Sequence, residues 1–259
     1  KKKKKKKPAA NHPYDADGDG LPYAWEAKPA AKKKANKKKK KKKAGKSAAA
    51  PELWRLGANP NRKDIFLQLD FATAAGRQNL PCADLDQLVA TFASGAVGNP
   101  DGSNGINLHI DAGKVCPSRS YDLGGSKLIP GTGGDPCPHF STVLNFDQLP
   151  DNRVGSWHIA GVVGGSSCGN GEHGVATSPG ISSVVYSDGP GIAHVLMHEL
   201  GHNLGLQHNE GFRPNRISVM NTRVYTTDNG SSPVETPDYQ RVSIPALDES
   251  ALDESVGLG

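Results

Sequence analysis

Residues 198–208 read H-E-L-G-H-N-L-G-L-Q-H. On a helix, His198 and His202 stand four apart and project from one face. Two imidazoles so placed suit one tetrahedral metal ion. Gly205 can take the left-handed conformation that ends a helix, and the resulting turn would bring His208 round as a third ligand. Three protein ligands with an open fourth position mark a catalytic zinc site rather than a structural one. Glu199 is not a ligand, but it adjoins the first histidine and can reach a zinc-bound water. Zinc lowers the pKa of such a water to about 7 and polarises a carbonyl oxygen. Glu199, as general base, would take the water proton and deliver it to a leaving amine. The expected chemistry is hydrolysis of a peptide bond in a protein or peptide substrate.

Ten to thirteen residues further on comes S-V-M-N, residues 218–221. A buried Met220 beneath the zinc would be a packing floor for the imidazoles; the plainer reading is a core methionine. His194 lies four before His198 and reads as a helix-surface residue or a partner of a ligand. His12, His109, His139, His158 and His173 lack partner spacing and read as non-ligands.

A second chemistry-bearing stretch lies near the start. Asp15, Asp17, Asp19, Gly20 and Glu26 fill every fixed position of D-x-[DN]-x-[DN]-G-x5-E. Carboxylates at positions 1, 3 and 5 converge on a hard cation, and Gly20 makes the sharp turn. Leu21 offers its carbonyl at position 7, and Glu26 can bind bidentately at position 12. The expectation is a structural calcium loop, against a plain acidic turn. Pro22 at position 8 is atypical of a paired EF-hand, and no second loop pairs with this one.

Cys82, Cys116, Cys137 and Cys168 are even in number and lack zinc spacing. Two disulfides in an exported protein is the favoured reading, with three connectivities open. One of them staples the glycine-rich loop with Cys116–Cys137 and leaves Cys82–Cys168. Four free thiols in a cytosolic enzyme is the alternative.

The elements that must position these groups follow from periodicity. Ile65, Leu67, Leu69 and Phe71 alternate with Phe66, Gln68 and Asp70, as in a half-buried strand. Leu85, Leu88, Val89 and Phe92 fall at helical spacing, with Asp84 as the expected N-cap. Residues 106–110, 157–163 and 181–186 read as further strands, 113–138 as a long loop, and 139–149 as a short helix. Pro190 stands where a first-turn proline would open a helix running to about Leu204. A short helix near 247–255 closes the chain. This order gives an α/β or α+β domain with a mixed sheet.

Composition bounds the rest. The chain has 259 residues, and glycine (31) with proline (19) makes up almost a fifth of it, so its elements are short. No apolar run is long enough for a membrane span. The net charge of +5 hides a split: residues 1–46 hold 19 lysines against four acids, and residues 47–259 hold 12 basic residues against 22 acidic ones. The lysine runs at 1–7, 32–34 and 37–43 read in three ways: a polybasic arm for anionic partners, a solvated charge run, or residues without a natural counterpart. They contain no aromatic residues for stacking on bases, so no nucleic-acid partner is drawn from them.

The extended zinc motif and the S-V-M-N segment resemble the metzincin clan of zinc metallopeptidases. D-x-D-G-D-G-L-P-x-x-W-E, G-A-N-P-N-R-K-D-I-F-L-Q-L-D-F and P-A-L-D-E-S-A-L-D-E-S-V-G-L look like segments of its bacterial secreted members. The resemblance covers most of residues 11–26 and 57–258. It implies a catalytic domain at 57–259, preceded by the calcium-type loop and lysine-rich connector at 1–56. An upper subdomain, 57–205, would carry a twisted five-stranded sheet and two long helices. A smaller, irregular lower subdomain, 206–259, would follow Gly205. The strand Ile181, Ser182, Ser183, Val184, Val185 and Tyr186 would be the edge that binds substrate by strand addition. The pattern departs from several metzincin groups at Thr222, where they carry a tyrosine; Tyr225 lies three further on, and a site without a tyrosine is expected.

The resulting expectation is a secreted zinc endopeptidase with structural calcium. Two rivals keep the same residues: a delivered toxin with this protease chemistry, and a non-enzymatic calcium-stabilised binding module. The intact Glu199 speaks against the second.

Overall fold

The computed structural model describes residues 14–30, 51–71, 80–116, 121–129, 149–150, 152–164, 172–187, 191–208, 218–220 and 239. The lysine runs, the expected helices at 139–149 (apart from Leu149) and 247–255, Pro190, Cys137, Cys168, Thr222 and Tyr225 lie outside them.

Five strands form one sheet: β1 (Asp64–Phe71), β2 (Asn107–Asp111), β3 (His158–Val163), β4 (Gly174–Ala176) and β5 (Ser182–Tyr186), in the order β2-β1-β3-β5-β4. Four strands are parallel, with Ile65 opposite Leu108, Leu69 opposite Ala160 and Gly161 opposite Val184. β4 alone is antiparallel, pairing Val175 with Val184 of β5. The helices are α1 (Tyr23–Glu26), α2 (Cys82–Ala93) and α3 (Ile192–Asn203). The result is a mixed α/β architecture with a mostly parallel sheet. Among the described residues, no helix is long and apolar enough to cross a membrane.

Parallel neighbours need a crossover, and α2 supplies it between β1 and β2. Its Leu85, Leu88 and Phe92 pack with Leu67, Leu69, Phe71, Leu108 and Ile110. Leu196, Met197 and Leu200 of α3 enter the same core. The opposite face is covered from the N-terminal side: Leu21, Leu53 and Ala58 bury against Phe66, Trp157 and Ile159.

This double covering changes three expectations. β1 is buried on both faces rather than half-buried, and Gln68 and Asp70 are fully buried with it. They are tolerated because Gln68 donates to Asp70 Oδ1 at 2.9 Å, and the Lys127 N–H donates to the same oxygen at 3.0 Å. Asp84 is not the N-cap of α2, because the helix opens two residues earlier after Pro81. Its carboxylate instead accepts from the Ala193 N–H at the start of α3, at 3.4 Å. The third change concerns the cysteines. Cys82 is bonded to Cys116, 34 positions further along the sequence. Cys82 opens α2 and Cys116 follows β2, on which α2 packs, so the two ends meet. Neither arm of the Cys116–Cys137, Cys82–Cys168 pairing therefore holds. Closing a loop of this length contributes about 3–4 kcal/mol.

Asp111, at the end of β2, organises the loop beyond it. One carboxylate oxygen accepts from the N–H groups of Gly113 and Leu123, both at 3.1 Å. The other accepts from Gly125 (2.7 Å) and Ser126 (3.2 Å), and pairs with Arg153 at 2.7 Å. Arg153 also donates to Gln68 Oε1 (2.6 Å) and the Leu123 carbonyl (2.7 Å), and lies 3.8 Å over the Trp157 ring. A Cβ on Gly125 would collide with the Arg153 guanidinium. Removing one partner of a buried ion pair costs about 3–5 kcal/mol. Arg153→Met is therefore expected to lower stability by that amount in urea unfolding; a loss below about 1 kcal/mol would show that backbone donors alone hold Asp111.

Candidate metal centres

α3 carries two different faces. Val195, Leu196, Met197 and Leu200 point into the core, while His198 and His202 are only partly buried. The chain leaves the helix through Gly205, at φ +90°, where its N–H bonds to the His202 carbonyl and the Leu206 N–H to the Gly201 carbonyl. This is the turn expected of Gly205, and it returns His208 to the other two histidines.

The three Nε2 atoms converge. They stand 2.9 Å (His198–His208), 3.0 Å (His202–His208) and 3.2 Å (His198–His202) apart. The far ring nitrogens are engaged elsewhere: His198 Nδ1 lies 2.6 Å from the Val219 carbonyl, and His202 Nδ1 lies 2.9 Å from the Leu206 carbonyl. A carbonyl can only accept, so each of these Nδ1 atoms is the protonated one. With Nδ1 so engaged, both rings turn Nε2 toward one point. Burial drives the His198 pKa down to about 4, and the neighbouring histidines push the same way. Burial also lowers His208. Three imidazole nitrogens that converge in this way could hold a metal ion, and histidine donors suit zinc among other transition metals.

Glu199 is buried on the same helix, and its Oε2 has no hydrogen-bond partner among the described residues. Burial, with a smaller push from Glu172, raises its carboxyl to about 8. β4 runs directly beside it. A Cβ on Gly174 would stand 2.6 Å from Glu199 Oε1 and 2.8 Å from Val195 Cγ1, so only glycine lets the strand approach so closely.

Ser218, Val219 and Met220 are all buried. The Val219 carbonyl orients His198, and Met220 Sδ packs against Gly201, midway between Glu199 and Asn203 on the helix. Tyr239 closes the same spot and donates to the Met197 carbonyl at 2.5 Å. His194 stands outside the histidine triad, as do His109, His158 and His173; His12 and His139 lie outside the described residues.

The expected substrate edge needs correction. Ser182–Tyr186 is not an edge strand: β5 lies between β3 and β4 and is buried throughout, and Ile181 immediately precedes it. Among the described residues the border beside β5 is β4, whose three residues are too short and too glycine-rich for an alternation signal.

The acidic loop also gathers, with one addition. Asp15, Asp17 and Asp19 form one cluster of carboxylate oxygens within 4.8 Å of each other; Asp19, Glu26 and Asp64 form a second. Asp15 shapes the turn by accepting from the Gly18 (2.7 Å) and Gly20 (3.0 Å) N–H groups. Leu21 donates its N–H to Asp19 at 2.8 Å and buries its side chain. α1 then delivers Glu26 to the cluster. Both carboxylate oxygens of Asp17 and both of Glu26 are buried with no partner among the described residues. Burial raises Glu26 to about 9, reinforced by Asp19, Asp17, Asp64 and Asp15, and raises Asp19 to about 6. Oxygen-only donors, two of the carboxylates buried without hydrogen-bond partners among the described residues, fit a hard cation. Asp64 could not be found from the sequence, because 37 residues separate it from Glu26 and nothing in the pattern calls for it.

No protein-family model matches the chain, and no curated protein does. A solved structure titled "Structure of a chaperone-substrate complex" aligns with 14% identity and a TM-score of 0.37, over 59% of this chain and 28% of that one. The chain thus spans less than a third of that structure's length, and a likeness this weak carries no argument.

The close contact at Gly201 is open to test. An added Cβ would stand 2.6 Å from Met220 Sδ and 2.9 Å from Tyr239 Cε1. Overpacking of this kind costs about 1–3 kcal/mol. Gly201→Ala should destabilise by that amount in denaturant unfolding, and by less when combined with Met220→Ala. Additive losses would mean that Met220 is not what the new methyl meets.

Proposed function

We propose that the chain is a zinc-dependent endopeptidase of the metzincin clan. The observation that carries the reading is the convergence of the His198, His202 and His208 Nε2 atoms beside a buried, partly unsatisfied Glu199. Zinc, when bound by these histidines, supplies Lewis acidity toward a water and toward the substrate carbonyl. The remaining chemistry belongs to the chain. Glu199 Oε2 accepts the water proton and returns it to the leaving nitrogen. The low dielectric around Glu199 keeps its basicity high enough for the transfer. The Val219 and Leu206 carbonyls fix two imidazoles in the tautomer that leaves Nε2 free.

Substrate would lie along β4 by strand addition, with Gly174 holding the strand close to the base. In this reading Gly205 is the boundary between an upper subdomain and a lower one. The disulfide and the acidic loop fit an exported protein holding structural calcium. A delivered toxin acting inside another cell would use the same site, and gene context separates the two. A binding module with a relic site has less in its favour, because Glu199 is intact and placed for work.

Two outcomes are expected. Glu199→Gln should reduce casein cleavage by about 10²–10⁴-fold while metal analysis still finds one zinc per chain, and chelation should abolish cleavage. Cleavage that survives both would end the proposal. Gly174→Ala should lower kcat/KM at least about tenfold with zinc content unchanged, since small displacements of a catalytic group are costly. Wild-type kinetics would show that β4 does not set the position of Glu199.

A further inference from the structure

The acidic loop is joined to the sheet by more than packing. Asp64, the first residue of β1, places a carboxylate oxygen within 4.8 Å of those of Asp19 and Glu26. Its backbone N–H donates to Asp19 Oδ2 at 2.7 Å. Lys63, immediately before it, donates its ammonium to the Asp17 carbonyl. We propose that Asp64 completes a calcium site with Asp15, Asp17, Asp19 and Glu26, and that the bound ion clamps residues 14–30 onto the sheet.

Three observations carry this. The first is the pair of unpartnered side chains: Glu26 is 1% exposed and Asp17 6% exposed, and none of their four carboxylate oxygens has a hydrogen bond among the described residues. Buried ionised carboxylates left in this way require either protons or a cation. The second is the charge around them. Five carboxylates gather here, and among the described residues Lys63 and a His109 ring nitrogen, 2.6 Å from Asp64 Oδ1, are what these contacts set against them. The third is how Asp64 is held. Asn107 Nδ2 donates to Oδ1 at 3.0 Å, and the Asn59 N–H donates to Oδ2 at 2.8 Å. With the His109 ring these donors engage Oδ1 twice and Oδ2 once, so Oδ2 keeps a lone-pair direction, and they fix the carboxylate as outer partners fix a metal ligand.

Calcium fits better than magnesium. All the donors are oxygens, most come from a loop that can adjust, and more carboxylates are present than an octahedral, water-retaining magnesium ion would take up. The ion would sit at the seam where Leu21 and Leu53 cover Phe66 and Trp157, so its binding energy would add to the burial of that face. None of this depends on the proteolytic reading.

The test is calorimetric titration of calcium into the calcium-depleted, zinc-retaining full chain. The wild type should bind with a Kd at or below about 1 mM, the range of extracellular calcium modules. Asp64→Asn should raise that Kd at least tenfold. Asp101→Asn, at an exposed carboxylate on another loop, should leave it unchanged. A wild type that does not bind calcium, or an Asp64→Asn variant that binds as tightly as the wild type, would overturn the proposal. If Asp64→Asn does not fold, hydrogen exchange on the wild type decides the matter. Added calcium should protect amides at 59–65 as well as those at 15–26, whereas protection confined to 15–26 would mean that the loop binds the ion without β1.

Discussion

Asp111 has no contact with water, and the loop after β2 is shaped by the need to satisfy its charge. Four backbone N–H groups and one guanidinium converge on it. Burying a carboxylate costs less the more of its lone pairs find donors. Arg153 then extends the network to Gln68 and the face of Trp157, so one charge ties together β1, β2 and the approach to β3. The same constraint separates structure from chemistry elsewhere in the chain. Where the protein closes its own account, as at Asp111, no ligand is needed. At Glu199, Glu26 and Asp17 oxygens stay without a partner among the described residues, beside groups that could hold a metal ion.

The histidine site is the counterpart with lone pairs in place of charges. Its geometry depends on α3 being clamped from behind. Leu196, Met197 and Leu200 fill the core, Met220 and Tyr239 press on Gly201, and the Val219 carbonyl turns the His198 ring. The core thus holds the helix on the face opposite the histidines. In this arrangement the glycines matter as much as the histidines: Gly201 admits the methionine, and Gly205 returns His208.

Much of this was legible in the sequence because local periodicity and fixed spacing encode it. The strands at 64–71, 107–111, 158–163 and 182–186 and the helix at 82–93 announce themselves by apolar spacing, and the helix at 192–203 by the histidine motif it carries. The histidine triad and the acidic loop announce themselves by motif. What the sequence hid was set by contacts distant along the chain. The interior position of β5 depends on β4, three residues with no pattern. The Cys82–Cys116 bond depends on α2 lying along β2. Asp64 reads as an ordinary strand residue until the fold carries the N-terminal loop to it. Asp84 misled because its carboxylate serves the next helix rather than its own.

The shortness of β4 has a consequence for recognition. Three residues span about 10 Å of strand. An edge of that length can register only a few residues of a visiting chain through main-chain pairing, too few to tell one sequence from another. Discrimination would then fall to side-chain pockets on either side of the pairing, while the stunted border gives a neighbouring copy of the sheet little to dock against. Among the described residues, the border that lies beside Glu199 is thus the one with the least backbone to offer.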